Sequence, residues 1–385
     1  MRPVAVSRTG IGLLVLVALA CGGVWMETPP LHGLSFVVRA ADMHGVVRRV
    51  ADFDARSEHE RILNIDTKSG PLRLRMYEPD GAARRLVLLT SGLHPAGIDE
   101  PRLVGLARQL AASGMRVFTP DIPELSKFAI TPAITDEIEA AALSLADRTP
   151  AEGDRRVGLI GISFSGGLSV VAAGRPALRD RVAFVLSFGG HDDLPRVLRY
   201  LCTGTDGAET RPPHDYGVAV ILLGVAERAV PAAQVEPLRA AVRRFLWASH
   251  LDRVDKMEAD REFAALRVLA STFPEPSATL LRDVNDRNVA DLGPRLLPYI
   301  GFYGGAAALS PDRSPKPSAP VFLLHGLDDN VIPAVESEAL EKDLRGSAPT
   351  RLLLSGLISH AEADQPVHAG DVLKLASFWG DVLAR

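Results

Sequence analysis

Apolar residues along this chain fall into short runs that alternate with stretches of helical spacing. ILNID from Ile62, LRLRMYEP from Leu72 and RRLVLLTSG from Arg84 are rich in leucine and β-branched residues and bounded by turn formers. They read as the opening strands of a sheet. The second alternates Leu72, Leu74 and Met76 with Arg73 and Arg75, which predicts one solvated face, whereas LVLLT is apolar throughout and predicts a central strand. Leu103, Leu106, Ala107, Leu110 and Ala111 then recur at helical spacing up to Gly114, and the strand MRVFTPD follows. The rhythm continues with a helix over 135–148, the strand RVGLIGIS, a helix beginning near Ser165 and the strand RVAFVLSFGG. Such alternation predicts an α/β fold with a doubly wound, mostly parallel sheet covered on both faces.

After Gly190 the rhythm stops. Residues 191–317 carry mainly helical patterns, such as VEPLRAAVRRFLWASHL and REFAALRVLASTF, separated by the polar or proline-rich pieces TGTDGAETRPPHD and SPDRSPKPSAP. The sheet resumes with VFLLHG, a helix over 336–344, the strand RLLLSG and a closing helix over 371–384. A helical insertion between two strands predicts a cap, because loops at the carboxyl edge of such sheets are where pockets are built. The expected organisation is an N-terminal segment 1–28, a connector 29–61, a core of 62–190 and 318–385, and a helical cap of 191–317.

Arg2 and Arg8 precede the uncharged run IGLLVLVALACGGVWM from Ile11 to Met26. As a helix it would rise about 24 Å, short of the ~30 Å hydrocarbon core, so it lies between a signal-peptide core and a short membrane span. Cleavage after Ala18-Leu19-Ala20, lipidation at Cys21 and retention as an anchor all remain open. Each places the remainder outside the cytoplasmic membrane, in contact with the membrane if the segment is uncleaved. The other bulk numbers exclude rather than assign. A net charge of −4 with 23% charged residues over 385 offers no basic excess for nucleic acid. Two cysteines, Cys21 and Cys202, form neither a disulfide framework nor a thiolate metal cluster.

Candidate chemistry concentrates in RVGLIGISFSGG, an apolar strand running into Gly161-Ile162-Ser163-Phe164-Ser165-Gly166-Gly167 and then a helix. A serine on a sharp strand-to-helix turn takes a strained backbone, and small residues two before and two after it prevent collision where helix crosses strand. Gly161 and Ser165 meet those demands for Ser163. The register centred on Ser165 puts the larger Ser163 at the tighter position and is disfavoured. Neither a P-loop lysine nor Rossmann glycine spacing is present. A serine nucleophile needs a base and a group that orients the base. VFLLHG runs into LDDNVIP and brings Asp328 and Asp329 to the sheet edge, Asp192 and Asp193 follow the preceding strand, and His360 and His368 follow RLLLSG. His94 and His325 read as structural.

With the segment Gly161 to Gly167, the Asp329 turn and His360 together, the chain resembles the α/β-hydrolase superfamily, nearest its esterase and dienelactone-hydrolase-like branches. The resemblance covers about 62–190 and 319–385 and leaves the cap outside. It implies the chain order serine, acid, histidine, hence Ser163, Asp329 and His360. The turn His325-Gly326, two residues, Asp329, three residues, Pro333 matches that family's acid turn, with Asp328 a turn residue. It further implies an oxyanion hole from the backbone amides of Leu93 and Phe164, and no metal or organic cofactor. The expected activity is hydrolysis of a carboxylic ester or related acyl bond on a small or lipid-like substrate. An acyltransferase using the same triad and a catalytically silent binding protein are the alternatives.

Overall fold

A computed structural model describes residues 29–148, 154–206, 210–358 and 369–385. Eight strands form one sheet in the order β1-β2-β4-β3-β5-β6-β7-β8, where β1 is Glu58–Thr67, β2 Gly70–Pro79, β3 Arg85–Thr90, β4 Met115–Pro120, β5 Val157–Ile162, β6 Val182–Phe188, β7 Val321–Gly326 and β8 Thr350–Ser355. β2 runs antiparallel to both β1 and β4, and every other neighbouring pair is parallel. Each of these strands contains one of the apolar or alternating segments of the sequence.

The two-residue period of the central strands divides the core into two layers. Val87, Leu89, Ile160, Phe184, Leu186, Phe322 and Leu324 point to one side and pack with Leu103, Ala107 and Leu110 of helix α3 (Pro101–Ala112), beneath Phe378 and Trp379 of the closing helix Ala369–Leu383. Leu88, Leu159, Val185, Val321 and Leu323 point to the other side, toward α4 (Ala133–Arg148) and α5 (Phe164–Gly174). Gly158 in β5 leaves space for the Phe184 ring, since a methyl group there would lie 2.5 Å from it.

The stretch 29–61, expected to be a connector, carries structure of its own. Helix α1 (Pro29–Ala40) and helix α2 (Val46–Ala51) precede β1, which already starts at Glu58. Phe36 of α1 is fully buried and its ring lies 4.3 Å from that of Trp379. Arg39, also buried, pairs with Asp54 at 2.7 Å and reaches Ser113 and Gln109. A buried ion pair and an interlocked aromatic mark this segment as part of the core layer. The signal was a short amphipathic pattern interrupted by prolines, too brief to separate from a linker.

The insertion is helical, as its spacing predicts. It runs through α6 (Leu194–Thr203), α7 (Tyr216–Ala229), α8 (Ala232–Val254), α9 (Lys256–Ala270), α10 (Ser277–Asn285) and α11 (Val289–Leu296) before the chain re-enters the sheet at β7. Its buried leucines and valines join the same apolar cluster as α4 and α5. Among the described residues no helix is long and apolar enough to cross a membrane; the run 11–26 lies outside them.

Candidate active site

Strand register fixes where the candidate residues emerge. Ile162 pairs with Phe188 of β6, and Phe188 pairs with Leu324 of β7, so β5, β6 and β7 deliver their carboxyl ends side by side. Ser163 comes directly after β5, at φ 54° and ψ −128°. That left-handed backbone is unfavourable for a residue with a Cβ and persists only where surrounding structure enforces it. Two hydrogen bonds do so: the Ser163 amide donates to the Phe188 carbonyl at 2.6 Å, and the Gly166 amide donates to the Ser163 carbonyl at 2.8 Å. A methyl group on Gly161 would lie 2.1 Å from the Ser165 carbonyl oxygen, so only glycine lets α5 cross β5 this closely.

Ser163 is partly exposed, and its hydroxyl has no hydrogen-bond partner among the described residues. Ser165 differs on both counts. It is fully buried, and its hydroxyl donates to the Ser91 carbonyl at 2.6 Å. That bond ties α5 to the loop after β3, where a methyl group on Gly92 would lie 3.2 Å from Ser163 Cβ. The loop therefore passes directly over Ser163. Neither the Leu93 amide in this loop nor the Phe164 amide, first in α5, donates to an acceptor among the described residues. Phe164 N–H also opens a helix, whose dipole favours negative charge there.

Asp329 follows β7 and is 3% exposed. Its Oδ1 accepts from the amides of Val331 at 2.8 Å and Ile332 at 3.0 Å, which closes the turn. Its Oδ2 faces Gly189, the residue that continues β6 past Phe188 with φ 66°; a methyl group there would stand 3.7 Å from that oxygen. Asp328 points outward, 4.0 Å from Arg211. His360 and His368 lie outside the described residues, so of the expected triad the structure describes Ser163 and Asp329. His325 lies inside β7, fully buried; its ring nitrogens meet Ser337 Oγ at 2.6 Å and the Ile332 carbonyl at 2.8 Å, a structural role.

Asp192 and Asp193, the alternative acids, are engaged elsewhere. The chain leaves the core for the cap at 191–194 and returns at 309–313, and the two crossings are bound to each other. The Leu194 amide donates to Ser310 Oγ at 2.9 Å, the Asp312 amide to the Asp192 carbonyl at 3.2 Å, and Arg313 pairs with Asp193 at 3.0 Å. Buried Glu336, on helix Val335–Asp343 of the core, accepts from the amides of both Asp192 and Asp193 at 3.0 Å and pairs with Arg196. His191 is fully buried behind the turn at Ser163, stacked on Phe164 at 5.3 Å and bonded to the Leu309 carbonyl at 2.8 Å. Sequence spacing gave no sign of this clamp, since its parts are far apart in the chain.

Burial, reinforced by Asp343, pushes the Asp192 carboxyl up to about 7. An acid raised in the folded state leaves stability intact below its ordinary value near 3.8 and removes it as pH rises toward 7. Asp192→Asn is therefore expected to gain on the wild type by about 2–4 kcal/mol between pH 4 and pH 8 in urea unfolding. A difference between the two proteins that is constant across that range would contradict the assignment.

The helical insertion meets the loop after β3 at a pair of rings. His94 stands edge-to-face on His250 of α8 at 4.8 Å, and Trp247 stands one turn earlier, 5.3 Å from His250. Burial lowers the His94 imidazole to about 4, with the charges of His250, Arg102 and Arg253 acting in the same direction against Glu100. Tyr216 opens α7 beside His214 at 4.4 Å, and the His214 amide donates to the Asn330 carbonyl next to Asp329. Among the described residues no group of histidine, cysteine or carboxylate side chains is arranged to hold a metal ion.

Strand order, antiparallel β2 and the strained serine between β5 and α5 together make the fold that of an α/β-hydrolase. No family model matches the chain, and no curated protein does. Among solved structures it is similar to an esterase of Pyrobaculum calidifontis, at 16% identity over 98% of this chain and 99% of that one, TM-score 0.45. It is similar also to brefeldin A esterase, a bacterial homologue of human hormone sensitive lipase, at 14% identity over 100% and 87%, TM-score 0.48. Against an acylaminoacyl peptidase of Pyrococcus horikoshii the values are 11% identity, 88% of this chain, 42% of that one and TM-score 0.44. Likenesses this distant leave the fold resting on the sheet order and the turn at Ser163.

Proposed function

We propose that this protein is a serine hydrolase of carboxylic esters, acting outside the cytoplasmic membrane through Ser163, His360 and Asp329. The observation that carries the reading is Ser163 itself, held at φ 54° on the turn from β5 into α5, partly exposed and with its hydroxyl uncommitted. Strain maintained at a reactive side chain is a feature of functional turns, and a buried, hydrogen-bonded serine such as Ser165 offers none of it.

In the mechanism Ser163 Oγ attacks the ester carbonyl as His360 takes its proton. Asp329 orients the imidazole and stabilises its charged form through the carboxylate oxygen that the turn amides leave to it. The oxyanion accepts from the Leu93 and Phe164 amides, and the proton on His360 passes to the leaving alcohol. Water, deprotonated by His360, then attacks the acyl-enzyme and releases Ser163. The apolar run 11–26 with its basic flank supports export or anchoring.

A fluorophosphonate probe tests the reading. The wild type is expected to label and Ser163→Ala not to; equal labelling of the two would refute the nucleophile. Hydrolysis of esters of graded acyl length, with and without an added alcohol, measures whether water or an alcohol takes the acyl group. Product acid as the main product supports hydrolysis, and predominant transfer to the alcohol overturns it.

A further inference from the structure

The loop after β3 is held on both sides of the Leu93 amide. On the side of the nucleophile turn Ser165 Oγ donates to the Ser91 carbonyl at 2.6 Å, and a methyl group on Gly92 would lie 3.2 Å from Ser163 Cβ. On the other side stands His94, the residue directly after Leu93. Its amide donates to the Leu125 carbonyl at 3.3 Å and its carbonyl accepts from the Gly97 amide at 2.9 Å, which ties its backbone to the core. Its ring meets the insertion, edge-to-face on His250 of α8 at 4.8 Å.

Both rings are fixed from behind. The Ala96 amide donates to His94 Nδ1 at 3.3 Å, which leaves the proton of the neutral ring on Nε2. Burial keeps that ring neutral by lowering it to about 4, with His250, Arg102 and Arg253 acting in the same direction and Glu100 against them. His250 is backed by Trp247, 5.3 Å away and one turn earlier. The helix that carries them is anchored in turn, since Phe245, Leu246 and Ala248 are buried and Phe245 packs on Phe263 of α9 at 5.7 Å. A packed helix of the insertion thus delivers a ring to the neighbour of a candidate oxyanion donor.

We propose that His250 is a positioning residue for ester hydrolysis, holding His94 and with it the Leu93 amide where the oxyanion forms. The proposal rests on the serine hydrolase reading above. Such a donor must be held within about 0.5 Å of its productive place, and its misplacement costs most in the transition state, where the charge has developed. The insertion therefore contributes to the rate as well as to the shape of the site.

Steady-state hydrolysis of nitrophenyl butanoate by the purified full chain reads the effect, with active sites counted by a fluorophosphonate. His250→Ala is expected to lower kcat about tenfold, the upper range for loss of one aromatic pair, while KM changes less than about twofold. His250→Phe keeps an edge-to-face ring and should bring kcat back to within about threefold of the wild type. His94→Ala should lose about as much as His250→Ala, and the double variant should lose little more than either, because both act through one contact. An unchanged kcat in His250→Ala, a rise in KM alone, failure of phenylalanine to restore the rate, or losses that multiply in the double variant would each overturn the proposal while leaving the hydrolase reading intact. A wild type that neither hydrolyses the ester nor takes up the fluorophosphonate would overturn both.

Discussion

Ser163→Ala is expected to lower kcat for ester hydrolysis by about 10⁴- to 10⁶-fold, with the oxyanion donors accounting for what remains. The fold should be unharmed. Ser163 Oγ makes no hydrogen bond among the described residues, and alanine inherits the same backbone strain, so stability should change by less than about 1 kcal/mol. Ser165→Ala supplies the contrast. It removes a buried bond to the Ser91 carbonyl and leaves that oxygen unsatisfied, at a cost of about 1–3 kcal/mol. Its effect on rate, exerted only through the position of the loop over Ser163, should be far smaller. Steady-state kinetics and thermal melts of the two variants read this directly; a reversed order of rate effects would make Ser165 the nucleophile.

Asp329→Asn is expected to lower kcat by about 10³- to 10⁴-fold while the turn stays formed. The two oxygens of this carboxylate have different work. Oδ1 holds the Val331 and Ile332 amides, which an amide oxygen can still do, whereas Oδ2 faces Gly189 at the ends of the strands. Asparagine therefore spares the architecture and removes the charge that would stabilise a protonated His360. Asp329→Ala should lose both, with a lower melting temperature as the added signature. Asp192→Asn, by contrast, should retain activity within a few-fold, because Asp192 belongs to the clamp that joins the cap to Glu336. Loss of activity in Asp192→Asn with full activity in Asp329→Asn would exchange their roles.

Much of this architecture is readable from residue order because it depends on local periodicity. The strands show as apolar runs or as alternation of apolar and polar residues, and the elbow at Ser163 is legible because Gly161 answers a steric demand from a carbonyl only four residues away in sequence. Features made by distant segments were not readable in the same way. The antiparallel insertion of β2 beside β4, the docking of α1 on the closing helix and the meeting of His94 with His250 depend on tertiary packing, which local spacing does not encode. The clamp shows the limit well: Asp192 and Asp193 read as possible acids because they follow a strand, and only the pairing of their carboxylates with Arg196 and Arg313, and of their amides with Glu336, reveals their place in the clamp. His360 rests on its place after β8 in the chain.

The central claim is that the hydroxyl of Ser163 forms the bond to substrate. Peptide mass mapping after inactivation with a fluorophosphonate tests it most directly, because Ser163 and Ser165 lie on one short peptide and fragmentation separates them. The expected result is a single adduct on Ser163 that forms in step with the loss of esterase activity. An adduct on Ser165, or inactivation without modification of either serine, would contradict it.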